Sequence, residues 1–353
     1  MAETLTDIAP NYQFVEHGPI LPQVLQELDG RNEPIARSPR KLDEPSIELT
    51  ERECLVQLDS FLTRVENIAA SSNNERLDHE VKAFRDNLVF IGAPERAKAI
   101  DAIAARIIEK MAQGDEIYFY YQSTRSEQYV SLLVIERLTQ LLTELNPDAL
   151  HEIHFSNSPY AIAQHIRNGK EKASVIIADD FAISGIQIRG NVGNMVAGLV
   201  HSGYTREEAL RMVEVNLIAS AARPDDYRLY PNKEGSAPPF QVFSYYAVPE
   251  YRDENGIWWF HPGVSMTGAH STGDYGFEQV LKHFQKELVQ SDQWDATGME
   301  SYTDLLLARI KRPYDPSDPT SMDKDPEYAA RITRAEQLSP LPEADDLYPN
   351  DSW

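Results

Sequence analysis

Residues 175–187 read Val-Ile-Ile-Ala-Asp-Asp-Phe-Ala-Ile-Ser-Gly-Ile-Gln: an apolar run ends in two adjacent carboxylates, and a small-residue loop then opens a helical pattern. Asp179 and Asp180 are acceptors suited to vicinal hydroxyls such as those of a ribose. The backbone N–H groups of Ala182, Ile183, Ser184, Gly185, Ile186 and Gln187 fall where a loop and a helix N-terminus bind an anion. The order strand, acid pair, loop, helix is therefore the order in which a chain would hold a phosphorylated sugar. An acid pair that merely caps a buried strand and the helix after it is the plainer structural alternative.

With those residues in view, the segment resembles the phosphoribosyl diphosphate motif of type I phosphoribosyltransferases, in which four apolar residues precede an acidic pair and a hydroxyl-bearing glycine loop cradles the 5′-phosphate. Asp179, Asp180, Ser184 and Gly185 fall on the motif. Phe181 and Ala182 replace its aliphatic pair, and Gln187 stands where a hydroxyl residue usually donates to phosphate. The resemblance implies Mg²⁺-dependent transfer of a 5-phosphoribosyl group between phosphoribosyl diphosphate and a nucleobase-like acceptor. Asp179 and Asp180 would then be the catalytic pair that positions the ribose. A non-catalytic module that senses a nucleotide or phosphoribosyl compound is the alternative function.

Other stretches fit this reading in part. Gln122-Ser123-Thr124-Arg125-Ser126 follows the first strand of the α/β section, and by the resemblance Ser123, Thr124 and Arg125 would bind pyrophosphate. Thr124 with Glu127 also makes a helix capping box, which accounts for the threonine without a ligand. Residues 258–278 interleave Gly268, Gly273 and Gly276 with His270, Asp274 and hydroxyls, a poor helix and poor strand but a good ligand loop. The resemblance would make this a hood over the acceptor, with His270 and Asp274 binding it. Type I enzymes often close a mobile loop between their second and third strands, whereas Pro159–Arg167 here reads as a short regular helix. Lys170 and Lys172 after it read as solvated lysines. His151, His154 and His165 are not expected to form a metal site, because neighbouring strand residues alternate faces and no Cys or HExxH partner is present.

The positioning elements follow from periodicity. From residue 115 the chain alternates strands and helices, the pattern of a parallel α/β sheet. Strands are expected at Glu116–Tyr121, His151–Ser156, Ser174–Ala178 and Val213–Ala219. Helices are expected at Ser126–Leu145, Pro159–Arg167 and Gln187–His201, the last with Gly203 as C-cap; Thr205 and Glu208 make a capping box before a further helix. Glu51–Ala70 carries the apolar stripe Cys54, Leu55, Leu58, Phe61, Leu62, Val65 and Ile68, so the thiol reads as packed rather than nucleophilic. Leu77–Leu88 and Pro94–Met111 complete a helical section.

Four regions result: an extended N-terminal arm over 1–47, a helical section over 48–114, a phosphoribosyltransferase-like α/β domain with a parallel sheet over 115–290, and a C-terminal helix with an acidic Pro-rich tail over 291–353. Residues 313–353 hold ten Asp/Glu against three Lys/Arg, with seven prolines, and read as solvated. The formal charge of −23 argues against a nucleic-acid surface. It also means that a diphosphorylated ligand needs a local cation. The single cysteine excludes an internal disulfide framework, and no apolar run reaches membrane-spanning length, so a cytoplasmic protein without a membrane partner is expected. No motif fixes the oligomeric state; a homodimer is one assembly open to the chain.

Overall fold

The structure, a computed structural model, describes residues 12–32, 34–37, 47–71, 75–121, 126–169, 172–182, 186–221, 240–248, 264–266 and 326–341. In chain order the first elements are β1 (Tyr12–His17), α1 (Leu21–Val24), β2 (Pro34–Arg37), β3 (Ile47–Thr50), α2 (Glu51–Ser71), α3 (Glu75–Asn87), β4 (Val89–Ile91) and α4 (Ala93–Ala112). Then come β5 (Glu116–Tyr120), α5 (Ser126–Leu145), β6 (Ile153–Ser156), α6 (Pro159–Asn168), β7 (Ala173–Ala182), α7 (Ile186–His201) and α8 (Arg206–Met212). The last are β8 (Val213–Ala221), β9 (Gln241–Val248), β10 (Val264–Met266) and α9 (Pro326–Glu336). The chain forms two compact units. One comprises Met1–Glu16, Ala97–Ala247 and Met322–Trp353, the other His17–Arg96 and Val248–Ser321.

The first unit is α/β, built on a six-stranded sheet of order β1-β9-β8-β7-β5-β6. The neighbours β6, β5, β7 and β8 are parallel. Central parallel strands are buried on both faces, which is why β5 and the first part of β7 read as continuous apolar runs rather than as alternating ones. Odd-numbered Val175, Ile177, Val213, Val215 and Leu217 pack with Ile162 and Ile166 of α6 and Val192, Met195 and Leu199 of α7. Even-numbered Glu214 lies on the other face and pairs with Arg106 and Lys110 of α4. Helix α7 ends as expected, with Gly203 at φ 101° and its N–H on the Val200 carbonyl. The Thr205–Glu208 capping box is formed.

Two expectations change in this unit. The arm expected over residues 1–47 contains β1, whose Tyr12 and Phe14 alternate with exposed neighbours in the manner of an edge strand. Tyr12 is fastened by a 2.8 Å hydrogen bond to Ser220 of β8. Nor is the acidic tail wholly solvated. Helix α9 buries Tyr328 and Ala335, donates from the Tyr328 hydroxyl to Gln128 of α5, and pairs Arg331 bidentately with Glu136. A few apolar and arginine side chains at helical spacing suffice to dock a segment whose bulk composition is acidic.

In the second unit α2 packs on α3, and Leu55, Leu58, Leu62 and Val65 of the expected apolar stripe are buried, as are Val81 and Phe84 of α3. β2 and β3 pair antiparallel, and β4 pairs in parallel with β10. Arg31 is buried between two carboxylates: it forks onto Glu95 at 2.9 and 2.5 Å and lies 3.6 Å from Glu51. Both acids also serve the start of α4, since Glu51 accepts from Ala93 N–H and Glu95 from Gly92 N–H. Orphan N–H groups at a helix N-terminus are thereby satisfied by negative charge.

Candidate functional site

Strand order locates the candidate site. β5 connects through α5 to β6 on one side, whereas β7 connects through α7 and α8 to β8 on the other, so the order reverses between β5 and β7. In open parallel sheets the crevice beyond the carboxyl ends of the strands at such a reversal is where ligands bind. The register sets Phe119 opposite Ile176, hence Tyr120, the last residue of β5, opposite Ile177. Asp179 and Asp180 therefore lie two and three residues past the end of β5, at the carboxyl end of the sheet.

β7 runs on through the acid pair to Ala182, with Asp179 opposite Leu217 and Ala182 opposite Ser220 of β8. This extension has a geometric cost for the expected ribose clamp. Successive residues of a regular strand leave a sheet on opposite faces, so side chains at adjacent positions point apart. Both residues are buried, at 3% and 2% exposure. Each carboxylate also leans toward the carboxyl end: Oδ1 of Asp179 accepts from Asp180 N–H at 2.8 Å, and Oδ1 of Asp180 from Phe181 N–H at 2.7 Å. A ligand touching both carboxylates would have to straddle the strand end rather than lie over one face.

Of the other expected anion-binding residues, Ala182 is buried at the strand end, and Ile186 and Gln187 are the first two residues of α7. The first turn of α7 carries no acidic residue, which leaves the positive end of its dipole facing the loop. Ser184, Gly185 and Ile183 lie outside the described residues, as do Ser123, Thr124, Arg125, His270 and Asp274. The helix expected between the second and third strands of the α/β section is present as α6, and residues 169–172 alone join it to β7, too few for a closing hairpin. The donor set suits Mg²⁺, a hard cation held by one or two carboxylates plus substrate phosphates. Because the strand splits the pair, one carboxylate is what either side of the crevice offers.

At the opposite, amino end of the sheet the structure assembles residues that the sequence does not join. Glu116 of β5, His154 of β6 and His165 of α6 bring one donor atom each to within 4.8 Å of one another. His154 Nε2 lies 2.8 Å from Glu116 Oε1, and its Nδ1 lies 3.0 Å from the Ser339 carbonyl. Both ring nitrogens of His154 therefore face oxygen atoms. Tyr118 stacks on His154 with centroids 4.6 Å apart, donates to Glu116, and lies 2.8 Å from His165 Nδ1. Burial works against ionisation of Glu116, but the His154 and Tyr118 hydrogen bonds and the two imidazoles outweigh it and hold the carboxyl below its usual range. Burial and the neighbouring His154 push His165 down, with Glu116 opposing. Burial and the Glu116 hydrogen bond push the Tyr118 phenol up. His151, the third histidine considered with these two, is exposed.

No protein-family model matches the chain, and no curated protein or solved structure does.

Proposed function

We propose that the chain binds a 5-phosphoribosyl compound across the carboxyl ends of β5 and β7 and, with Mg²⁺, transfers its phosphoribosyl group to a nucleobase-like acceptor. The observation that supports this reading is the reversal of strand order between β5 and β7, because the two strands after which the phosphoribosyltransferase-like segments follow in sequence are neighbours in the sheet. In this reading Asp179 and Asp180 hold the ribose hydroxyls from the strand end, and the backbone N–H groups of residues 182–187 take the 5′-phosphate. Ser123, Thr124 and Arg125 would bind the departing pyrophosphate. Positive charge builds on the ribose as the glycosidic bond breaks, so a carboxylate already fixed by its neighbour's N–H stabilises the transition state at little reorganisation cost. Mg²⁺ would supply charge neutralisation on the diphosphate.

A second reading, a phosphoribosyl or nucleotide sensor without turnover, is favoured by the short 169–172 connection, which leaves no room between α6 and β7 for a loop that would shield a reacting centre from water. One experiment separates the two. Phosphoribosyl diphosphate with Mg²⁺ and mixed bases should release pyrophosphate above background if the chain is a transferase. A rise in melting temperature without release identifies the sensor, and neither response would overturn both.

A further inference from the structure

We infer that Glu116, His154 and His165 form a binding site for a divalent first-row transition metal, Zn²⁺ being its simplest occupant, at the amino end of the sheet and apart from the crevice proposed for the phosphoribosyl ligand. The donor set is two imidazoles and one carboxylate, a borderline set that suits Zn²⁺ far better than Mg²⁺. The surroundings are those of a metal site. Each imidazole is oriented through Nδ1, His154 by the Ser339 carbonyl at 3.0 Å and His165 by the Tyr118 hydroxyl at 2.8 Å, which leaves Nε2 of each ring as the metal-binding atom. Glu116 is in turn hydrogen-bonded by Tyr118, so all three ligands have a supporting partner.

Size and access agree with this assignment. Tetrahedral ligand atoms around Zn²⁺ are about 3.4 Å apart. The His154 Nε2 to Glu116 Oε1 separation of 2.8 Å and the 4.8 Å bound on the whole group bracket that spacing. The metal would take the place of the hydrogen bond between His154 Nε2 and Glu116 Oε1. Room beside the carboxylate is kept by Gly169, where a Cβ would come within 3.0 Å of the His165 carbonyl and 3.5 Å of Glu116 Oε2. His165, on α6, is only partly buried and gives the ion a way in. Three protein ligands leave a fourth position for water. Because the His154 ring also holds Ser339, the bound ion locks the segment after α9 onto β6.

The test uses the full-length chain freed of metal with a chelator and then titrated with Zn²⁺ alone. One ion per chain should bind, raise the melting temperature and slow hydrogen exchange in residues 326–341. Tyr118→Phe should weaken binding roughly 10–100-fold. Glu116→Gln and His165→Asn should abolish it, whereas Asp180→Asn should leave it unchanged, which keeps this result independent of the fate of the phosphoribosyl proposal. Co²⁺ on the wild type guards against variants that fail to fold: a visible absorption band saturating at one equivalent is expected. Absence of that band, no stoichiometric Zn²⁺ uptake, or uptake that survives both ligand substitutions would overturn the site.

Discussion

Asp180→Asn separates charge from shape at the strand end. The amide keeps an oxygen able to accept from Phe181 N–H, now at 2.7 Å, so the fold should barely change. It removes the charge that strengthens a hydrogen bond to a ribose hydroxyl. Affinity for phosphoribosyl diphosphate should fall about 10-fold or more, by roughly 1.4 kcal/mol, with the melting temperature of the free protein nearly constant; calorimetric titration of both proteins reads the difference. The acid pair was legible in the sequence because its residues are contiguous. Glu116, His154 and His165 were not, because register and a helix crossing bring together positions that no local spacing relates. The one hint lay in strands otherwise apolar that each carry a single charged or imidazole side chain.

At the scale of elements, the long periodic segments were legible and the short ones were not. α2, α4, α5, α7 and the core strands follow from apolar period, whereas β1, at the sheet edge, and β4, three residues long, do not stand out from the charged and turn-rich sequence around them. The join between α2 and α4 is also invisible in sequence, since it rests on Arg31 held between Glu95 and Glu51. Burial opposes the Glu95 charge, but the Arg31 fork and the Gly92 N–H outweigh it, so its folded pKa is depressed. A depressed carboxylate stabilises the fold above its unfolded pKa and loses that contribution as pH falls through the folded value. Glu95→Gln should therefore cost about 3–5 kcal/mol at neutral pH, because it leaves a buried guanidinium underpaired. The gap from wild type should narrow below about pH 4; urea unfolding at pH 7 and pH 3 checks both claims. Gly92→Ala should also destabilise, since its Cβ would displace the Glu51 carboxylate and the Arg31 guanidinium. Helix α9 can be probed likewise: Tyr328→Ala empties a buried site against α5 and should lower stability by roughly 3 kcal/mol, measured by the same unfolding curves.

For the whole molecule, the parallel α/β class was readable from alternating strand and helix patterns, but the partition of the chain was not. The first unit takes residues from the beginning, the middle and the end of the sequence, and Tyr12 meets Ser220 across 208 positions. Composition cannot reveal such a closure, because each piece looks ordinary by itself. Its effect is felt in time. At about 5–20 residues per second, β1 leaves the ribosome on the order of 10–40 s before the strand that covers it. An amphipathic strand is left waiting with bare edges until β8 and β9 have been made. Early-made chain thus depends on a chaperone or on transient pairing until its late partner arrives, and slow, aggregation-prone refolding from denaturant is the signature such long-range closure should leave.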